Sequence, residues 1–135
     1  MAPLSQLRQV SQNRTRAEPV EIWKARKFIE EHCAEQLSLS KVAKAANISP
    51  NYLSEKFKQV TGINFVDYVA HARFEKASEL LHDVDLRISE IAFAVGFQSL
   101  SQFNRVFKKL SGKSPTRFRA EQEGPAGPER QQRMS

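Results

Sequence analysis

The feature that most limits how this chain can fold is a repeat. Leu39, Val42, Ala43 and Asn47 recur as Ile88, Ile91, Ala92 and Gly96, 49 positions on. Leu53, Phe57, Lys58 and Gly62 recur as Phe103, Phe107, Lys108 and Gly112, 50 positions on, so the turn between the halves is one residue longer in the second copy. Each copy reads as two helices and a tight turn, and the second is the clearer. Ile88, Ile91, Ala92 and Val95 form the apolar side of a short helix, with Ser89 as its expected cap. Gly96 stands where the chain must reverse, a position that favours positive φ. From about Ser99 to Ser111, Phe103, Phe107 and Leu110 make the buried stripe of a second helix, and Gly112 stops it. Its other face carries Ser101, Gln102, Asn104, Arg105, Lys108 and Lys109. A short helix, a turn and a second helix with a polar, basic outer face make a helix-turn-helix, the unit that lays its second helix in the DNA major groove. Asn47 fills the turn role of Gly96, since Asn tolerates the left-handed conformation better than other side chains. Ala43 and Ala92 are small enough for the paired helices to approach closely.

The other elements follow from periodicity and punctuation. Ile22, Ala25, Ile29 and Cys33 share a stripe, widened by Trp23 and Phe28, so a first helix is expected from about Pro19, in its first turn, to Glu35. Ser38 or Ser40 caps the next helix, with Leu39, Val42, Ala43 and Ala46 inward. Ser49-Pro50 opens the third, with Leu53, Phe57 and Val60 inward and Gly62 at its end. Asn64 caps a fourth helix reaching about Leu81, with Asp67 near its positive end. His82-Asp83-Val84-Asp85 breaks it. Ser114-Pro115 opens a short seventh helix carrying Phe118. The expectation is an all-α fold of seven helices: two helix-turn-helix units joined by a linking helix, homeodomain-like in character. The domain spans residues 19–120, residues 1–18 read as a flexible lead-in or linker, and 121–135 as a disordered tail.

Charge separates the two copies. From Val20 to Asp85 there are 9 Lys/Arg against 10 Asp/Glu; from Leu86 to Arg119 there are 7 against 1. The net charge of +6 is thus concentrated on the second unit, the electrostatic footprint of a polyanion binder. A solvated basic face that only aids solubility is the plainer alternative. No apolar run approaches the roughly 20 residues of a membrane span. The first residues lack a secretory pattern, so a cytoplasmic, nucleoid-associated setting is expected. One cysteine excludes an internal disulfide and a cysteine-based zinc site. Cys33 lies on an inner stripe and reads as a core residue rather than a nucleophile. His32, His71 and His82 have no metal-ligand spacing and default to solvent-facing or satisfied histidines. There is no glycine-rich phosphate loop. The chain is therefore not expected to be an enzyme, to need a cofactor or to hold a small-molecule site.

Residues Val20 to Arg119 closely resemble the C-terminal DNA-binding domain of the AraC/XylS family of bacterial transcription regulators. The resemblance rests on Leu39, Ala43, Leu53, Phe57 and Gly62 in the first unit and on Arg73, Ala77, Leu80 and Leu81 in the linking helix. In the second unit it rests on Ile88, Ile91, Ala92, Gly96, Phe97, Ser99, Ser101, Phe103, Arg105, Phe107, Lys108 and Lys109. Gly112, Pro115 and the pair Phe118-Arg119, where the family more often has Tyr-Arg, complete it. The resemblance implies seven helices, binding to double-stranded promoter DNA, and usually activation through contacts to RNA polymerase.

Groove-facing residues lie opposite the buried stripes, near the start of each recognition helix. In the first unit these are Asn51, Tyr52, Ser54, Glu55 and Lys58; the family's base contacts map best onto Asn51, Ser54 and Glu55. Asn51 suits adenine and Glu55 suits cytosine N4. In the second unit they are Leu100, Ser101, Gln102, Asn104, Arg105, Lys108 and Lys109. Arg105 suits guanine, Gln102 adenine and Leu100 a thymine methyl, while Lys108, Lys109 and Lys113 are expected to reach phosphates. Competing readings put Tyr52 against the second helix, Leu100 at the core edge and Glu55 among solvated charges. A helical interaction module that shows its basic face to an acidic protein is the alternative function.

Overall fold

Short polar side chains set the helix starts. Ser38, Ser49, Ser99 and Ser114 each accept a hydrogen bond through Oγ from the backbone N–H three residues on, at 3.0–3.2 Å. Asn64 does the same to Asp67 N–H at 2.8 Å. These bonds satisfy N–H groups that a helix start leaves without partners. In the computed structural model, which describes residues 18–123, the chain forms α1 (Val20–His32), α2 (Leu39–Ala45), α3 (Pro50–Thr61), α4 (Phe65–Leu80), α5 (Ile88–Ala94), α6 (Leu100–Ser111) and α7 (Pro115–Glu123). No strand occurs among the described residues. The all-α expectation of seven helices holds there, and the residues before 18 and after 123 lie outside the described part.

Four local expectations are corrected. Pro19 precedes α1 with extended backbone (φ −60°, ψ 147°) instead of sitting in its first turn, and α1 ends at His32, short of Glu35. Of the two serines offered as the cap of α2, Ser38 takes the role and Ser40 lies inside the helix, in keeping with the expectation. Ser89 lies inside α5, which starts one residue after Arg87. There the Glu90 carboxylate, three residues into the helix, reaches back to accept from the Arg87 backbone N–H at 2.7 Å, the half of a capping box that an acid supplies. Finally, α7 runs past Ala120 to Glu123.

The two copies match closely. α2 and α5 are both seven residues long, and α3 and α6 both twelve. Asn47 (φ 62°) and Gly96 (φ 110°) turn the chain, and Gly62 (φ 85°) and Gly112 (φ 81°) end the recognition helices in the left-handed region. The repeat also extends beyond what the sequence pattern suggested. Thr61 donates to the Phe57 carbonyl and accepts from Ile63 N–H; Ser111 does the same with Phe107 and Lys113. Phe57 meets Tyr68 edge-on at 5.0 Å, and Phe107 meets Phe118 edge-on at 5.1 Å. The start of α4 and the whole of α7 are therefore counterparts.

The chain divides into two compact units, one ending at Ala72 and the other beginning at Arg73, with α4 belonging to both. In the first unit, Ile22, Ala25, Ile29, Val42, Ala43, Leu53 and Phe57 are fully buried, and so is Cys33. Each large apolar side chain so buried contributes about 1.5–3 kcal/mol. Beside this core lies a buried polar group. Arg26 and Glu18, 0 % and 1 % exposed, form a two-pronged ion pair (Nε–Oε2 2.5 Å, Nη2–Oε1 2.7 Å). Tyr68 donates to Glu30 at 2.8 Å, and Arg26 Nη1 lies 3.7 Å from the same carboxylate. Burial pushes Glu30 above its ordinary pKa, against the lowering pull of Tyr68, Lys27 and Arg26. Burial beside Glu30 likewise raises the Tyr68 phenol.

The second unit builds its core from rings. Phe107 touches Phe74 (4.8 Å), Phe103 (5.5 Å) and Phe118 (5.1 Å), and Phe97 packs on Phe103 at 5.2 Å. Such pairs add about 0.5–1.5 kcal/mol beyond simple burial. Arg119 on α7 donates to the carbonyls of Leu81 and Asp83, both at 3.0 Å. It thereby satisfies acceptors just past the end of α4.

Candidate nucleic-acid interface

α6 is the more strongly two-sided recognition helix. Phe103 and Phe107 are sealed beneath it, and Ser101, Asn104, Arg105, Lys108 and Lys109 are exposed above. Among the described residues, Arg105, Lys108 and Lys109 take part in no ion pair, so their charge faces solvent unneutralised. Leu100, at the first position of the helix, is 40 % exposed, which places it outside the core rather than at its edge. Gln102 is half-buried. Its backbone N–H goes to the capping Ser99, and its side-chain Oε1 accepts from the Gln98 backbone N–H at 2.9 Å. This bond competes with the adenine pairing expected for Gln102. That pairing needs the amide oxygen and nitrogen side by side on the base edge, and the oxygen is turned back onto the chain.

Lys113 and Arg117 share one acidic partner. Glu121, on the stretch of α7 beyond Ala120, pairs with both: with Lys113 Nζ, and with Arg117 Nε at 2.9 Å. The two cations hold the Glu121 carboxyl below its ordinary pKa, Lys113 most. Lys113, expected at a phosphate, thus has an acidic partner within its own unit. Together with Arg119, three of the seven cations counted in this stretch are engaged inside the second unit.

α3 repeats the geometry with different chemistry. Leu53 and Phe57 are buried; Asn51, Ser54, Glu55 and Lys58 are exposed. Tyr52 is 40 % exposed and donates its hydroxyl hydrogen to Glu21 Oε2 on α1 at 2.7 Å, which ties it to α1. The hydrogen bond to Glu21, with some burial, raises the Tyr52 phenol pKa. Elsewhere in this unit Lys41 (3.2 Å) and His32 (2.7 Å) both pair with Glu35, whose carboxyl is lowered chiefly by His32. His32 also stacks on Phe28 at 4.3 Å, while His71 is buried and His82 lies exposed in the turn after α4.

Sequence reasoning passed over Glu21, Gln98 and Glu121. Glu121 had a local signal, since it stands four residues after Arg117 on one helix, the spacing of a side-chain pair. Glu21 had none: it meets Tyr52 across 31 residues of chain.

The architecture defines a class, a double helix-turn-helix domain with two recognition helices of equal length. A family model described as "Helix-turn-helix domain" matches residues 42–121. The chain belongs to the AraC-type helix-turn-helix family. It is 42% identical over 94 residues to the uncharacterized HTH-type transcriptional regulator YijO of Escherichia coli K12, covering 70% of this chain and 33% of that protein. It is 40% identical, with a TM-score of 0.73, to the C-terminal domain of AraT, a response regulator from Geobacillus stearothermophilus, covering 79% of this chain and 88% of that one. The DNA-binding domain of AdpA, a global transcriptional factor solved in complex with a target DNA, matches with TM-score 0.72 at 25% identity, over 80% of this chain and 96% of that one. The chain spans about a third of the length of the curated relatives it matches. No helix among the described residues is long and apolar enough to cross a membrane.

Proposed function

We propose that this chain is the sequence-specific double-stranded DNA-binding part of a transcription regulator, and that α3 and α6 enter adjacent segments of the major groove. The observation that carries the reading is the outward face of α6. Arg105, Lys108 and Lys109 stand exposed and without ion-pair partners beside Leu100, Ser101 and Asn104, over a sealed aromatic stripe. Arg105 offers the forked donor that fits guanine O6 and N7. Lys108 and Lys109 supply point charges to phosphates. On α3, Asn51, Ser54 and Glu55 act as readers, Tyr52 contributes its ring and Lys58 contacts phosphate. The linking helix α4 has 16 residues, about 24 Å at 1.5 Å each, against about 34 Å for one duplex turn. That length supports two contacts on one side of a duplex, with some bending of the DNA. RNA polymerase is the proposed protein partner at the promoter, reached by the whole regulator in the cytoplasm.

Selection of bound sequences from a random duplex pool tests this. The expected outcome is two short conserved windows about one helical turn apart, with affinity falling steeply as salt rises. Binding of an acidic protein, with no sequence preferred among duplexes, would return the domain to the interaction-module reading.

A further inference from the structure

The side chain at position three of α6 has a fixed polarity. Gln102 Oε1 lies 2.9 Å from the Gln98 backbone nitrogen, on the residue before the capping Ser99. A backbone N–H only donates, so the amide atom facing it must be the oxygen; the ambiguity that usually attends a glutamine head group is removed by its partner. The bond also fills one of the N–H groups near the helix start, as the acidic or amide residue of a capping box does. Turning the oxygen back leaves the NH₂ group as the free end of the amide. That group has two hydrogens and no lone pair to offer a base.

We propose that Gln102 reads DNA as a donor only, selecting a base edge that presents acceptors, guanine O6/N7 or thymine O4, and that the Gln98 amide is the positioning group that enforces this. The proposal rests on α6 entering the major groove. In that groove guanine shows two adjacent acceptors and thymine one, whereas cytosine shows only the N4 donor. Adenine offers N7 beside the N6 donor, and the N6 hydrogens have no acceptor to meet on a head group locked this way. Gln102 thus works by different chemistry from Arg105, one helical turn along: a neutral, singly oriented donor against a charged fork.

The decisive substitution is Gln102→Glu. A carboxylate accepts the Gln98 N–H as well as the amide does, so the helix start is kept, and the outward atom changes from donor to acceptor. Sequences bound by the whole chain are selected from a random duplex pool for the wild type, Q102E and Q102A, with helix content and melting followed for each. The expected result is a single position in the α6 window where the wild type prefers guanine or thymine, where Q102E prefers cytosine, and where Q102A has no preference, all other positions being unchanged. Replacing a preferred guanine with 7-deazaguanine should weaken the wild type about three- to tenfold, the range of one net hydrogen bond, and leave Q102A unmoved. Wild-type selection of adenine at that position, with loss of binding to purine lacking the 6-amino group, would show both amide atoms at work and overturn the proposal. Identical preferences in all three proteins would reduce Gln102 to a helix cap and overturn it too. A wild type that selects no sequence at all would instead defeat the groove reading on which the proposal stands.

Discussion

The two units share a backbone plan and differ in what fills it. The first packs aliphatic side chains and secures its edge with the buried group Glu18, Arg26, Glu30 and Tyr68. The second packs Phe74, Phe97, Phe103, Phe107 and Phe118 against one another and sends Arg119 to helix-end carbonyls. Their outer faces diverge as well. α3 shows Asn51, Ser54, Glu55 and one lysine; α6 shows Arg105 and two lysines. One frame can therefore carry a unit that buries an ion pair beside its core and another whose recognition helix turns unpaired cations outward. On a polyanion the second should supply most of the attraction, and the first should act more through discrimination.

The largest expected effect concerns the inward charges. Arg26→Met removes both prongs of a buried ion pair from Glu18 and should destabilise the first unit by about 3–5 kcal/mol. Glu18→Leu combined with Arg26→Met should recover most of that loss. Trp23 on α1 is the sole tryptophan, so its fluorescence during urea unfolding reports on that unit. A loss under about 1 kcal/mol for the single variant would mean that the pair is incidental and the contrast between cores weaker than drawn.

On the outward side, Arg105→Ala should cost about 1–3 kcal/mol of binding and relax choice at one base pair. Lys109→Ala should weaken all duplexes alike and lower the salt slope by about one. Titrations of matched and mismatched duplexes at several salt concentrations separate the two. Equal, sequence-independent losses would erase the distinction between reader and anchor within α6.

The turns offer a sharper comparison of equivalents. Gly96 sits at φ 110°, beyond the left-handed basin that Asn47 occupies at φ 62°. Gly96→Asn should destabilise the second unit by about 1–2 kcal/mol, whereas Asn47→Gly should change the first by well under 1 kcal/mol. Thermal melts of the two variants settle it, and equal costs would show the two turns to be interchangeable.

The smallest effect is a pH dependence. Burial raises Glu30 above its ordinary pKa of 4.5. A carboxyl raised in the folded state favours folding below its unfolded pKa, and that contribution is lost as pH rises through the folded value. Glu30→Gln keeps an acceptor for Tyr68 and removes the charge. It should therefore melt slightly higher than wild type at pH 7, with the gap closing as pH falls toward 4. A gap that widens on acidification would mean that pairing with Arg26 outweighs burial.

What could be read from the sequence was mostly what a residue does to its own neighbourhood. Ser49, Asn64 and Ser114 act on backbone three residues away, and Asn47, Gly62, Gly96 and Gly112 on their own dihedral angles, so local spacing located them; it narrowed the cap of α2 to Ser38 or Ser40 and placed Ser99 at a helix start. Ser89 failed because the helix begins one residue before it, at Ile88, with Arg87 in the cap position. The long-range pairs left no trace. Arg26 sits beside an apolar stripe and looks solvated until Glu18 folds over it. Tyr52 and Glu21 are joined across 31 positions, and Arg119 reaches Leu81 across 38. Gln102 was legible as a polar residue near a helix start, but its polarity depended on a backbone amide that no periodicity marks. The family resemblance supplied the fold for the same reason that local rules did: the residues it rests on are largely caps, turns and stripe positions.

Equal helix lengths, matching serine openings and matching glycine closures have a practical corollary. The outward residues of α6 can be grafted onto α3 one for one, fifty positions back, without recutting a loop or shifting the apolar stripe. The domain then behaves as a pair of interchangeable cassettes, in which a new target could be assembled by swapping faces while the scaffold stays untouched.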